Sequence, residues 1–232
     1  MFDMDWQAIA FTASVWILPV LFAVTFHEAA HGWVAWRLGD DTAKLLGRVS
    51  FNPLKHIDPF GTVILPALLL LGTGGRMMFG FAKPVPVNFA GLGNPRRDMV
   101  LVAAAGPASN ILLALIAAVL LHGVDGLDGE VREWVTRNLI NAVWINCLLA
   151  VFNMLPLPPL DGGRVAVGLL PAFLGARLAR LERLGFLIIL GGLFLVPFIG
   201  ERLGYSLEIF WWLVGAPAQY LMQTIFSGLG LL

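Results

Sequence analysis

Apolar residues gather into six charge-free runs, at residues 6–26, 59–75, 99–121, 138–160, 184–200 and 209–232. A helix crossing the hydrocarbon core needs about 20 mainly apolar residues, and five of these runs read as spanning helices. The first continues past its charge-free part to about Leu38, where Gly39-Asp40-Asp41 is a stop signal. The second differs: its 17 residues include Pro59, Gly61, Pro66 and Gly72, which disfavour a continuous helix, so it reads as re-entrant. Residues 48–51 and 76–89 carry β-type signals, and the alternate prolines of Lys83-Pro84-Val85-Pro86-Val87 suit an exposed sheet edge. The pattern predicts an all-α polytopic membrane protein. It has about five to six transmembrane helices, with a re-entrant or β-hairpin element after the first.

Composition agrees: 58% of residues are hydrophobic and 13% charged, too apolar for a soluble core of this size. Fifteen basic against fifteen acidic residues leave no net charge and no basic block for nucleic acid. Charge placement sets the topology, because Lys and Arg favour cytoplasmic loops. If the second run does not cross, twelve of the fifteen basic residues share one face, with only Arg132, Arg137 and Arg202 opposite. The prediction is five spans, N-terminus outside and C-terminus cytoplasmic. No basic start or cleavage site marks a signal peptide, so the first segment is expected to be retained. One integral membrane domain is expected over 1–232, with core motifs in 24–171 and C-terminal helices in 184–232.

The candidate chemistry lies late in the first span and at the end of the fourth charge-free run. His27-Glu28-Ala29-Ala30-His31 puts two imidazoles on one helical face, one turn apart, where they can share a Zn²⁺ ion. Glu28 stands beside them as a candidate proton acceptor. A chance pattern of core histidines is the plain alternative, but ionisable groups in a membrane helix are costly and usually functional. Catalytic zinc sites usually have three protein ligands. The lone Cys147 offers no cysteine framework, which leaves His56, His122 and Asp161 as candidates for the third. Asp161 sits within Leu157-Pro158-Pro159-Leu160-Asp161-Gly162-Gly163, where an unpaired carboxylate would be expensive. Its plain alternative is a helix N-cap.

These motifs resemble those of the site-2 proteases, zinc metalloproteases that cut substrates within the membrane. The similarity runs from His27 to Pro171. Besides the His27–His31 motif it includes Asn52-Pro53-Leu54-Lys55-His56-Ile57-Asp58-Pro59, Phe81-Ala82-Lys83-Pro84-Val85-Pro86-Val87-Asn88, Ala105-Gly106-Pro107-Ala108-Ser109-Asn110 and the stretch from Phe152 to Gly163. The resemblance implies His27, His31 and Asp161 as ligands of one Zn²⁺ and Glu28 as general acid/base. It also implies Asn153 as a polar partner near the reacting carbonyl, and a cytoplasm-proximal site in a bacterial-type cell membrane. No peptide-binding insert, nucleotide-sensing pair or helix ahead of the His27 helix is present, so the chain resembles the compact branch of the family.

The expected activity is hydrolysis of peptide bonds within or near transmembrane segments of a membrane-spanning protein substrate, in contact with the lipid bilayer. The edge at 83–87 is expected to hold the unwound substrate as an added strand. A metal transporter using the same ligands and an inactive scaffold are the rivals. Titratable residues are scarce in the external halves of the helices, which argues against the first, and Glu28, which is not needed as a ligand, argues against the second. Asn110 reads equally as a site residue or as part of a packing seam. His56 reads as structural, His122 as interfacial, and Trp211 and Trp212 as an aromatic belt.

Overall fold

The computed structural model describes residues 6–72, 80 and 82–232. Residues 76–79 and 81 of the expected β region, and the end of the second apolar run, lie outside the described residues. Among the described residues the chain is helical and contains no strand. Among the described residues, four helices are long and apolar enough to cross a membrane: Ala10–Arg37, Pro95–Gly126, Gly129–Asn153 and Glu182–Arg202. The last apolar run also folds as helix, but Trp211, Trp212, Gln219 and Gln223 dilute its apolar character, and it is not among the four.

The helix α1 (Trp6–Arg37) packs against α2 (Pro95–Leu120) and α3 (Gly129–Asn153), and these three form the centre of the molecule. Small residues make the close approach possible. Ala114, Ala117, Ala118, Val143 and Cys147 are buried between α2 and α3, and Ala218 and Ile225 of the C-terminal α4 (Ala216–Gly228) close this core. Large apolar side chains such as Ile17, Phe22, Leu112 and Val119 point outward, as a lipid-facing surface requires.

Prolines shape the helices. Pro19 lies inside α1 and has no N–H for the carbonyl four residues back; that carbonyl, Val15 O, accepts a hydrogen bond from Asn141 Nδ2 of α3 at 2.9 Å instead. Elsewhere a proline follows a widened π turn. Pro66 follows Pro59–Ile64, Pro197 follows Gly191–Leu195 and Pro217 follows Trp211–Gly215. At Pro197 and Pro217 the wider turn makes room for a ring that would clash with the preceding turn.

The expected edge at 83–87 is extended and pairs in no ladder among the described residues. Pro84 and Pro86 lack donors, Lys83 N–H donates to His56 O (2.9 Å), and Val85 N–H turns toward α1. The end of α1 lies within one residue of the expected stop, with Gly39 at φ 110° in the left-handed region that glycine tolerates. Asp40 is buried there, accepting from Thr42 N–H (3.0 Å), Thr42 Oγ1–H and Asn88 N–H (2.7 Å). Burial pushes its carboxyl pKa upward, but the Thr42 and Asn88 donors outweigh that and hold it below the ordinary value.

Candidate active site

Helix α1 brings His27 and His31 to its buried face, one turn apart, as the spacing predicts. Asp161 arrives from the other direction. The chain leaves α3 through the proline-rich turn at 154–160 and re-enters helix at Asp161–Leu169. This turn folds tightly because Gly162 and Gly163 have no side chains: a Cβ on Gly162 would lie 2.2 Å from Met154 O, and one on Gly163 2.1 Å from Pro158 N. The contact seats the Asp161 carboxylate between the imidazoles.

Asp161 Oδ2 lies 3.2 Å from His27 Nε2 and 3.2 Å from His31 Nε2, and the two Nε2 atoms are 3.1 Å apart. All three residues are buried. The opposite ring nitrogens are committed: His31 Nδ1 donates to Val102 O (2.7 Å) and His27 Nδ1 to Asn110 Oδ1 (2.7 Å). Two imidazole lone pairs and a carboxylate oxygen with no hydrogen-bond partner therefore converge on one point. Converging, mutually repelling electron pairs in a dry setting suit a small divalent cation, and a His₂Asp donor set with its outer nitrogens hydrogen-bonded suits zinc.

Gly106 of α2 leaves the room. A Cβ there would lie 2.4 Å from His31 Nε2 and 2.6 Å from His27 Cε1, so the resemblance motif Ala105–Asn110 contains a glycine facing the imidazoles and an asparagine bonded to one of them. Asn110, equally site residue or seam on sequence, is both: it is fully buried and its Nδ2 donates to Ala23 O (3.1 Å) of α1 and Asn146 Oδ1 (2.8 Å) of α3. Sequence reading missed Asn146. The signal was available, an amide in an apolar membrane helix, but many helices carry such amides for packing alone.

Glu28 is half-buried beside the ligands. Its Oε2 accepts the Val85 N–H at 2.7 Å. The other expected site residue, Asn153, closes α3, and its Nδ2 donates to Leu149 O of its own helix (3.0 Å); no hydrogen bond joins it to the ligands among the described residues. His56, read from sequence as structural, is buried, and its Nε2 donates to Ser50 O at 2.8 Å. His122 is exposed in the turn after α2.

Comparison with known proteins agrees with this geometry. The model of peptidase family M50 matches residues 15–131 and 124–198. The chain belongs to peptidase family M50. It is 40% identical over 193 residues to a Bacillus subtilis protein named "Putative zinc metalloprotease YwhC", covering 78% of this chain and 80% of that one. A Mycolicibacterium smegmatis protein of the same description, Rip2, is 32% identical over 73% of this chain and 62% of its own length. "Regulator of sigma-E protease RseP" of Salmonella typhimurium is 28% identical over 61% of this chain but 31% of its own length. No solved structure matches the chain. With four apolar helices of spanning length, this M50 chain is a multi-pass membrane protein and a zinc-dependent peptidase.

Proposed function

We propose that the chain cuts a membrane-spanning protein within or near its transmembrane segment, with His27, His31 and Asp161 holding one Zn²⁺ and Glu28 moving the proton. The observation that carries this is the convergence of Asp161 Oδ2 and the two Nε2 atoms within 3.2 Å, with a half-buried carboxylate adjacent. Zinc, when bound, supplies Lewis acidity that polarises a carbonyl and lowers the pKa of water to about 7. Glu28 accepts a proton as water adds to the scissile carbonyl carbon, then returns it to the departing amine nitrogen as the C–N bond breaks. One Asn153 N–H is held by Leu149 O, and the second is available to the carbonyl oxygen as that oxygen gains charge.

The proposed topology has five spans, with the helix after Ile209 as the fifth and the N-terminus outside. The site faces the cytoplasm. His27 stands ten residues before Arg37, roughly 15 Å along the axis, so water and substrate need a cleft. The short apolar helix Pro59–Leu69 is proposed to be re-entrant and to line it, within a single domain spanning 1–232. Added-strand binding at 83–87 uses the groups that have no hydrogen-bond partner among the described residues, the carbonyls of Val85 and Pro86 and both main-chain groups of Val87.

The test is Glu28→Gln in liposomes carrying a transmembrane substrate. Zinc content should be unchanged and cleavage should fall by about 10²–10⁴-fold, while zinc uptake into the lumen should be absent from both forms. Normal cleavage by the zinc-loaded variant would remove Glu28 from its role. Zinc uptake without cleavage would favour the transporter.

A further inference from the structure

A zinc-binding imidazole must present a lone pair at one nitrogen, and the hydrogen bond at the other nitrogen decides which one is free. For His31 the partner is a backbone carbonyl, Val102 O, which can only accept. Nδ1 therefore carries the hydrogen and Nε2 is free. For His27 the partner is the Asn110 carboxamide, which has a donating and an accepting end and would favour opposite tautomers in its two orientations. Something must hold its oxygen toward His27.

Asn146 does this. Its Nδ2 donates to Ala142 O of its own helix at 2.8 Å, and since a carbonyl only accepts, Asn146 Oδ1 is the end that faces α2. That oxygen accepts from Asn110 Nδ2 at 2.8 Å, while Ala23 O accepts from the same nitrogen at 3.1 Å. Both N–H bonds of Asn110 are thus taken by oxygens, and its Oδ1 is turned to His27 Nδ1 at 2.7 Å. The chain of bonds runs in one direction, from His27 Nδ1–H to Asn110 to Asn146 to Ala142 O, across α1, α2 and α3. Asn110 is 0% exposed and Asn146 2%, so bulk water does not substitute for a missing link.

We infer that Asn146, which touches neither ligand nor metal, is a positioning residue that sets the His27 tautomer for zinc through Asn110. The inference rests on His27 being a zinc ligand. Asn146→Leu removes, at similar volume, the nearer of the two acceptors that hold the Asn110 amide and leaves Ala23 O alone to oppose its flip. Asn146→Asp, as a neutral buried acid, keeps the pattern, with its carbonyl toward Asn110 and its O–H toward Ala142 O.

The experiment measures zinc affinity of the purified full chain by competition with a chelating dye. Asn146→Leu should bind zinc about 10–100-fold more weakly, Asn146→Asp should restore most of that, and Asn146→Leu should cost little more in an Asn110→Leu background. Wild-type affinity in Asn146→Leu, loss in Asn146→Asp equal to that in Asn146→Leu, or losses that multiply in the double variant would each overturn the inference. Imidazole ¹⁵N spectra of the metal-free wild type give an independent reading should a variant not fold: His27 should carry its hydrogen on Nδ1, and an Nε2–H ring would overturn it. Failure of the wild type itself to bind zinc would instead overturn the metal centre.

Discussion

Glu28 and Val85 are 57 residues apart in sequence, yet the Val85 N–H donates to Glu28 Oε2 at 2.7 Å. Pro84 and Pro86 flank Val85, so this is the one backbone donor of that tripeptide. The extended segment beside the site is therefore tied to the residue proposed to move the proton: one carboxylate oxygen is held, and the other has no hydrogen-bond partner among the described residues. Arg48 holds the segment in turn. Its Nη2 donates to Lys83 O (2.6 Å) and Pro84 O (3.4 Å), and its Nη1 to Lys55 O.

Arg48→Met should release the Lys83 and Pro84 carbonyls and let the Val85 N–H leave Glu28. Since misplacing a reacting group by about 1 Å can cost about 10²-fold, kcat for a transmembrane substrate should fall by about ten-fold or more at unchanged zinc content. A kcat equal to that of the wild type would show that the tie does not orient Glu28.

Gly106→Ala should damage the metal site without touching a ligand. The added methyl would lie 2.4 Å from His31 Nε2, well inside contact distance, and α2 must shift or the imidazoles must turn. Zinc measured by elemental analysis should drop well below that of the wild type. Full zinc in a folded Gly106→Ala protein would contradict the packing described for this face of α2.

Asp40→Asn should destabilise the junction between α1 and the extended segment in a pH-dependent way. The folded-state pKa of Asp40 is depressed, so its contribution is present above the unfolded value of about 3.9 and disappears as pH falls through the lower folded value. The melting temperature in detergent should differ between wild type and variant at neutral pH, and the difference should shrink below about pH 4. A constant difference across that range would exclude the carboxylate as its source.

Cysteine labelling tests the topology, and Cys147 is silent because it is buried. A reagent that cannot cross the membrane should reach Asp128→Cys in intact cells and Arg177→Cys only after permeabilisation. Labelling of Gly74→Cys from outside would show that the second apolar run crosses.

Much of this protein is legible in its sequence because the membrane imposes simple rules. Charge-free length marks the helices, Gly39-Asp40-Asp41 ends the first, and a four-residue spacing puts His27 and His31 on one face whatever surrounds them. These are local consequences of helical geometry and of the cost of charge in hydrocarbon. Motif order pointed to Asp161, but its place between the two imidazoles depends on a proline-rich turn that closes only because Gly162 and Gly163 have no side chains. At 83–87 the alternate prolines leave few donors and Glu28 takes the one on Val85, so this segment pairs in no ladder among the described residues. Asn146 and Arg48 carried no distinguishing local pattern. An amide in a helix and an arginine in a loop acquire their roles only from the carbonyls and amides that distant segments bring to them, and that convergence is decided by the packing of α1, α2 and α3.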